Sequence, residues 1–412
     1  MRIAIIGGGA AGMMAAATIN ETNPKTEVFL LEKNSSLGKK VIISGGGRCN
    51  VTTGLQDIKT VLTKYPRGAK FLNSAMANFP PQAVYDWFEN HGVPLKCEAD
   101  MRVFPVSNNG KDIVAVFVNV FAKNNTKVLF KHSVQKIERQ GQQFVIHSQN
   151  QKPLTVDKVI LTLGGQAYRQ TGSTGDGYTL AESLGHSTSE LAASLSSLIT
   201  KEKWPSQLMG LSFVKANFKF KTSKKQEFEG PFVFTHWGIS GPAVFATSAL
   251  LAFAKISPEK PLTIFVDIMP DLSVEKLTAQ IKRFMQANPK KTFKYALQPL
   301  TTLAFASVIL EQMQINLEKK NSELSKADLN KTVNFLKNLP LTVVGRRAGD
   351  EFVTAGGIKL SEIDSSTMQS KLVTNLYFAG EILDIDGFTG GFNLQAAWST
   401  GRLAGLKSIA IK

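Results

Sequence analysis

Met1-Arg2-Ile3-Ala4-Ile5-Ile6-Gly7-Gly8-Gly9-Ala10-Ala11-Gly12 opens the chain, and the reading of this stretch decides the fold. Arg2 to Ile6 is short and β-branched, Ala10 to Asn20 is Ala-rich, and Glu27 to Leu31 is apolar again, so residues 1 to about 32 read as a βαβ unit. Gly7 to Gly12 fits G-x-G-x-x-G at the strand-to-helix turn, where a dinucleotide site requires it. Gly7 permits the tight turn, Gly9 lets a pyrophosphate approach the backbone, and Gly12 lets helix and strand pack closely. The free N–H groups at the helix start suit phosphate. Glu32, about twenty residues beyond Gly12, can accept bonds from ribose hydroxyls. Its acidity favours a ribose without a 2′-phosphate, hence FAD or NAD.

Two later segments favour FAD. Ser44-Gly45-Gly46-Gly47-Arg48-Cys49-Asn50 sets glycines beside a cation, suited to wrapping a flat ring and a pyrophosphate at close range. Leu376-Tyr377-Phe378-Ala379-Gly380-Glu381 is a strand ending in an acid that could meet ribityl hydroxyls. It continues through Gly387-Phe388-Thr389-Gly390-Gly391-Phe392-Asn393-Leu394 into a last helix predicted from about Asn393 to Ile411. The positive N-terminal end of that helix could face the flavin and favour its anionic reduced form. No second G-x-G-x-x-G follows a strand, so NADPH or NADH is expected as a transient electron donor without a domain of its own.

The length of 412 residues implies two or three cooperating units. From about Glu190 to Glu351 the composition turns to strands followed by lysine-rich helical segments, which reads as an insert. The predicted organisation is an FAD-binding first part over 1–189, an inserted substrate domain over 190–351, and a C-terminal return over 352–412. No apolar run approaches the roughly 20 residues of a membrane span, and the opening apolar run breaks at Gly7, unlike a secretory signal. With only two cysteines, Cys49 and Cys97, and no metal-ligand spacing, the expectation is a soluble cytoplasmic protein without metal or membrane partner. A net charge of +16 makes nucleic acid the first partner to consider, although many basic proteins bind no polymer.

The turn at Gly7 to Gly12, SGGGRCN (Ser44 to Asn50), GSTGDGY (Gly172 to Tyr178), THWGISGP (Thr235 to Pro242) and GEILDIDGFTGGFNLQAAWSTG (Gly380 to Gly401) together resemble the bacterial NAD(P)/FAD-dependent oxidoreductases with an inserted domain, a family whose members include a ribosomal RNA dihydrouridine synthase. The resemblance spans nearly the whole chain. It implies an α/β fold: a Rossmann-like FAD-binding domain of the glutathione-reductase type, split by an insert that forms a β-barrel and a helical portion. The cofactor-binding set taken with it is Gly7, Gly9, Ala10, Ala11, Gly12, Glu32, Lys33, Lys39, Gly46, Gly47, Arg48, Asn50, Val134, Gly164, Gly380, Glu381, Gly391, Asn393 and Leu394. Relatives are also linked to reduction of steroid-like enones, so the substrate stays open.

Three functions follow. The leading one is FAD-dependent reduction of a uridine of 23S ribosomal RNA to dihydrouridine; the others are NAD(P)H-dependent reduction of a small-molecule enone, and RNA-binding ribosome maturation with a structural flavin. A base in RNA must leave its stack to be reduced, at a cost a basic, aromatic-lined cleft can offset. Lys282, Arg283, Lys290, Lys291 and Lys294, interleaved with Phe284, Phe293 and Tyr295, are the candidate RNA contacts. Lys215, Lys219, Lys221, Lys224 and Lys225 around Phe218 and Phe220 are a second set, although both patterns also describe ordinary amphipathic elements. Arg346 and Arg347 could clamp a phosphate or form a domain-boundary ion pair. The proton-donor candidates are Cys49, whose neighbour Arg48 is expected to lower its pKa, and His236; the alternatives are a small packed residue and a structural histidine. Cys97 has no chemical company.

Overall fold

A computed structural model describes residues 1–222 and 225–410, so Lys224 and Ile411 lie outside the described residues. The chain divides into two compact units, Met1–Ser194 with Glu351–Lys412, and Leu195–Asp350. The seam falls at Ser194, a few residues past the composition boundary at 189, because Ala192–Ser194 pairs with Val353–Ala355 as a two-stranded ribbon.

The first unit is built on a five-stranded parallel sheet, in the order Leu376–Phe378, Lys158–Leu161, Arg2–Ile6, Glu27–Glu32, Thr126–Phe130. Central strands of such a sheet are covered on both faces and so read as continuous apolar runs; Ile3, Ala4 and Ile5 have no exposed surface. The helix Ala10–Thr22 follows the first strand through the Gly7 turn. The last helix, Phe392–Ile409, packs on it through small residues. A Cβ on Gly401 would lie 2.4 Å from the Ala11 carbonyl oxygen, and one on Gly405 would lie 2.7 Å from that of Ala15. Close approach of two backbones is thus what returns the C-terminal segment to the N-terminal turn. An antiparallel meander, Val134–Gln140, Gln143–Ser148 and Leu154–Val156, and a small sheet of Thr52–Thr53, Arg102–Pro105 and Leu95–Cys97 complete the unit.

The second unit holds a closed six-stranded barrel: Leu198–Thr200, Gly238–Ser240, Lys225–Thr235, Ser212–Lys221, Leu262–Asp267 and Leu339–Arg346, the last pairing back to the first. Phe218, Phe232 and Phe234 fill it. The helices Val274–Ala287, Leu303–Gln312 and Lys326–Lys337 lie between its fifth and sixth strands in this order. This corrects one reading of the sequence. Phe218 and Phe220 alternate inward into the barrel core, and Lys215 is paired with Glu229 and Asp271, so this hairpin presents strand alternation rather than a lysine-aromatic surface.

Candidate functional site

At the first turn, Gly7 has φ +110° and donates its N–H to the Leu31 carbonyl at 2.9 Å. A Cβ on Gly12 would sit 2.0 Å from the Gly7 carbonyl oxygen and 2.7 Å from the Thr162 hydroxyl, so this glycine is required by packing. Gly9 is different. Its φ of −83° suits any residue, and a Cβ there would meet no heavy atom within 4 Å among the described residues. The fold itself gives no reason for a glycine at this point; a phosphate lying against the backbone does. No side chain caps the helix it starts, which leaves the first-turn N–H groups, those of Ala10, Ala11 and Gly12, for an anion.

Glu32 is buried beside this turn, accepting from the Gly8 N–H at 2.8 Å and from the backbone and side-chain N–H groups of Asn34 at 2.7 Å each. Lys39 donates to the Asn34 side chain at 3.0 Å, and Asn34 reaches the Thr171 carbonyl at 3.0 Å. Lys33 is tied to Asp176 and to the Thr174 hydroxyl, both at 2.6 Å. The GSTGDGY segment is therefore fastened to the end of the second strand.

A further residue, absent from the sequence reading, is Lys40. Its ammonium lies 2.5 Å from Glu381 and 3.2 Å from the Ser173 hydroxyl. The other Glu381 oxygen accepts from the Thr354 N–H at 3.0 Å. Gly164, with φ +75°, lies beside this group. The doublet Lys39-Lys40 after Gly38 was the available signal; its partner is 341 positions away.

Gly45, Gly46 and Gly47 all have positive φ, in a tight turn that delivers Arg48 onto the Phe104 ring, 3.8 Å from its centre, and to Glu98 at 2.7 Å. The Asn50 amide faces the Gly391 N–H at 2.9 Å and the Thr52 carbonyl at 3.1 Å. Asn393 both donates to and accepts from the Gly387 backbone at 2.8 Å, clamping the turn before the last helix. The Gly380 N–H is held by Thr400 at 2.9 Å, and Leu394 packs against the core. Val134 is buried at the start of the meander. All these residues belong to the first unit.

Cys49 corrects an expectation. It is fully buried, and burial pushes its thiol up to about 12, not down. The adjacent guanidinium is balanced by Glu98 and does not lower it.

The remaining candidates lie in the second unit. His236 is exposed at the turn between Lys225–Thr235 and Gly238–Ser240, its ring 4.8 Å from that of Trp237. Lys282, Arg283, Lys290 and Lys291 are exposed, with no carboxylate partner among the described residues, whereas nearby Lys294 and Lys319 pair with Glu318 and Asp328. Arg346 is also corrected: it turns inward and donates to the Leu251 and Ala254 carbonyls beyond the helix Pro242–Leu250, so it does not form a phosphate clamp with Arg347. Burial lowers its pKa. Arg347 lies over Trp237 at 3.7 Å and pairs with Asp350 at 3.3 Å, the ion-pair alternative.

Among the described residues no three His, Cys, Asp or Glu side chains are grouped to hold a metal ion, and no helix is long and apolar enough to cross a membrane. A parallel Rossmann-type sheet, a phosphate-accepting turn, and a C-terminal strand and helix returned to it define a flavoprotein oxidoreductase. The chain belongs to the family described as HI0933-like protein Rossmann domain, whose model matches residues 1–407. It is similar to 3-dehydro-bile acid delta(4,6)-reductase of Clostridium scindens, 29% identical over 406 residues and 98% of each chain. It is also similar to ribosomal RNA dihydrouridine synthase of Haemophilus influenzae, 28% identical over 403 residues, 96% of this chain and 95% of the relative. Among solved structures, 3-ketosteroid delta1-dehydrogenase from Sterolibacterium denitrificans superposes over 98% of both chains with a TM-score of 0.50 and 12% identity, a likeness of fold.

Proposed function

We propose that this protein is an FAD-dependent reductase that converts a uridine of 23S ribosomal RNA to dihydrouridine, with NADPH or NADH as electron donor. The two curated relatives share one chemistry by name: each saturates a carbon–carbon bond conjugated to a carbonyl, in a uracil ring in one case and in a 3-oxo steroid nucleus in the other. The observation that carries the RNA reading is the set of exposed cations without carboxylate partners, Lys282, Arg283, Lys290 and Lys291, in a chain of net charge +16. A small-molecule enone, even one carrying a single carboxylate, leaves most of these cations unused.

Bound FAD supplies the hydride chemistry. The residues of the chain bind and orient. The uncapped N-terminus of Ala10–Thr22, with Gly9 leaving the backbone bare, takes the pyrophosphate; Glu32 takes the adenosine ribose. Glu381, held by Lys40 and the Thr354 N–H, takes the ribityl chain. Of the two proton-donor candidates Cys49 is the poorer, because its thiol is buried with its pKa near 12. With ribosomal RNA as substrate the protein works in the cytoplasm.

The test is dihydrouridine content, by nucleoside mass spectrometry, in ribosomal and transfer RNA from cells with and without the protein. Loss from ribosomal RNA alone is the expected result; unchanged dihydrouridine in both classes contradicts it. The enone reading is favoured by the 29% relative. It predicts that NADPH-reduced protein is reoxidised by a steroid-like enone and not by RNA. A flavin that NADPH does not reduce would point to the maturation-factor reading.

A further inference from the structure

The helix Val274–Ala287 is amphipathic, with Leu277 and Ile281 buried beneath it. Phe284, one turn on, is only half-buried, while Phe293 just beyond it has no exposed surface. Phe284 therefore contributes to more than the core. Together with Ala296, Pro299 and Leu300 it forms the apolar wall of an open cleft of about 290 Å³, to which Gln280 and Arg283 add polar groups. This volume is just under the roughly 300 to 1,000 Å³ of ligand sites, a size for one flat ring system and no more. Lys290 and Lys291 sit in the short link between the Val274–Ala287 helix and Phe293–Ala296, the two elements that supply its walls.

We propose that this cleft seats an unpaired nucleobase of a single-stranded RNA segment, with Phe284 stacking on the base, Gln280 meeting its polar edge, and Arg283, Lys290 and Lys291 on the flanking phosphates. Charge complementarity selects the occupant. An apolar peptide or a second copy of this basic chain gains nothing from three cations without carboxylate partners. A polyanion does, and nucleic acid is the polyanion that also carries flat apolar rings. A duplex hides those rings in its stack, so only unpaired segments can use the cleft. The inference rests on the RNA reading above but concerns a site that binds substrate without reacting with it.

The experiment is fluorescence anisotropy of FAD-loaded protein with a labelled oligouridine of about ten nucleotides, inside the roughly 4–16 nucleotides of known single-strand grooves, and with the same strand annealed into a duplex. Phe284→Leu keeps an apolar side chain and removes the stacking face. It is expected to weaken oligouridine binding about tenfold, to leave duplex binding unchanged, and to be restored by Phe284→Trp. Arg283→Gln, at an exposed position that folding does not need, is expected to reduce the salt slope of oligouridine binding by about one. Oligouridine binding indifferent to both variants overturns the cleft and leaves the RNA reading standing. Wild-type protein that binds neither RNA overturns both.

Discussion

Gly9 and Gly12 stand three positions apart in one turn and answer to different partners. A Cβ at Gly12 would collide with the Gly7 carbonyl, whereas one at Gly9 would touch nothing in the protein. The motif made both glycines legible, and the coordinates separate the one the fold needs from the one a ligand needs. Cys49 was legible as a residue next to a cation, but not as a buried one, because the Glu98 that balances Arg48 lies 50 positions away. Burial raises the thiol from its ordinary 9.0 to about 12. A raised folded-state pKa means that the thiol's contribution to stability is fully present below about pH 9 and is lost as pH rises towards about 12. Iodoacetamide at about pH 8 is therefore expected to modify exposed Cys97 alone in the folded protein, and both cysteines in denaturant. Equal labelling of Cys49 without denaturant, read by mass spectrometry, would remove its burial from the account.

At the scale of elements, alternation along a strand explains what the dipeptide Arg346-Arg347 could not. Neighbouring residues at a strand end point to opposite sides. One guanidinium turns in to the carbonyls after the helix Pro242–Leu250, where a cation is favoured, and the other stays on Trp237 and Asp350. Sequence showed two cations; only strand pairing shows which is structural. Arg346→Ala is expected to lower the unfolding free energy by about 1.5–3 kcal/mol, the range for hydrogen bonds to a charged group, and to leave oligouridine affinity unchanged. A stable Arg346→Ala protein with weakened RNA binding in the same denaturant and anisotropy measurements would return Arg346 to the nucleic-acid surface. The Lys40–Glu381 pair makes the same point: Glu381 ends a recognisable motif, Lys40 lies in none, and the pairing belongs to the fold.

Over the whole molecule, the sequence carried the architecture well because its signals are local: a βαβ unit with its glycine turn, a change of composition at the insert, and a second glycine-rich segment before the last helix. The barrel was less visible. Two of its strands are only three residues long and too short for periodicity, and its closure joins Leu198–Thr200 to Leu339–Arg346 across the entire insert. What unites the first unit is the contact between the first and last helices, which brings the two glycine-rich segments together. Cofactor binding at the first turn is therefore the central claim. Its most direct test is the visible spectrum and flavin content of purified wild-type protein and of Gly9→Ser, with apoprotein stability measured on both. Serine is a good N-cap and Gly9 occupies the N-cap position, so the variant apoprotein is expected to be as stable as wild type or more so by a few tenths of a kcal/mol. Wild type is expected to carry FAD and Gly9→Ser to be colourless. FAD retained in full by Gly9→Ser, or a wild-type protein that neither copurifies with FAD nor binds it when supplied, would contradict the account.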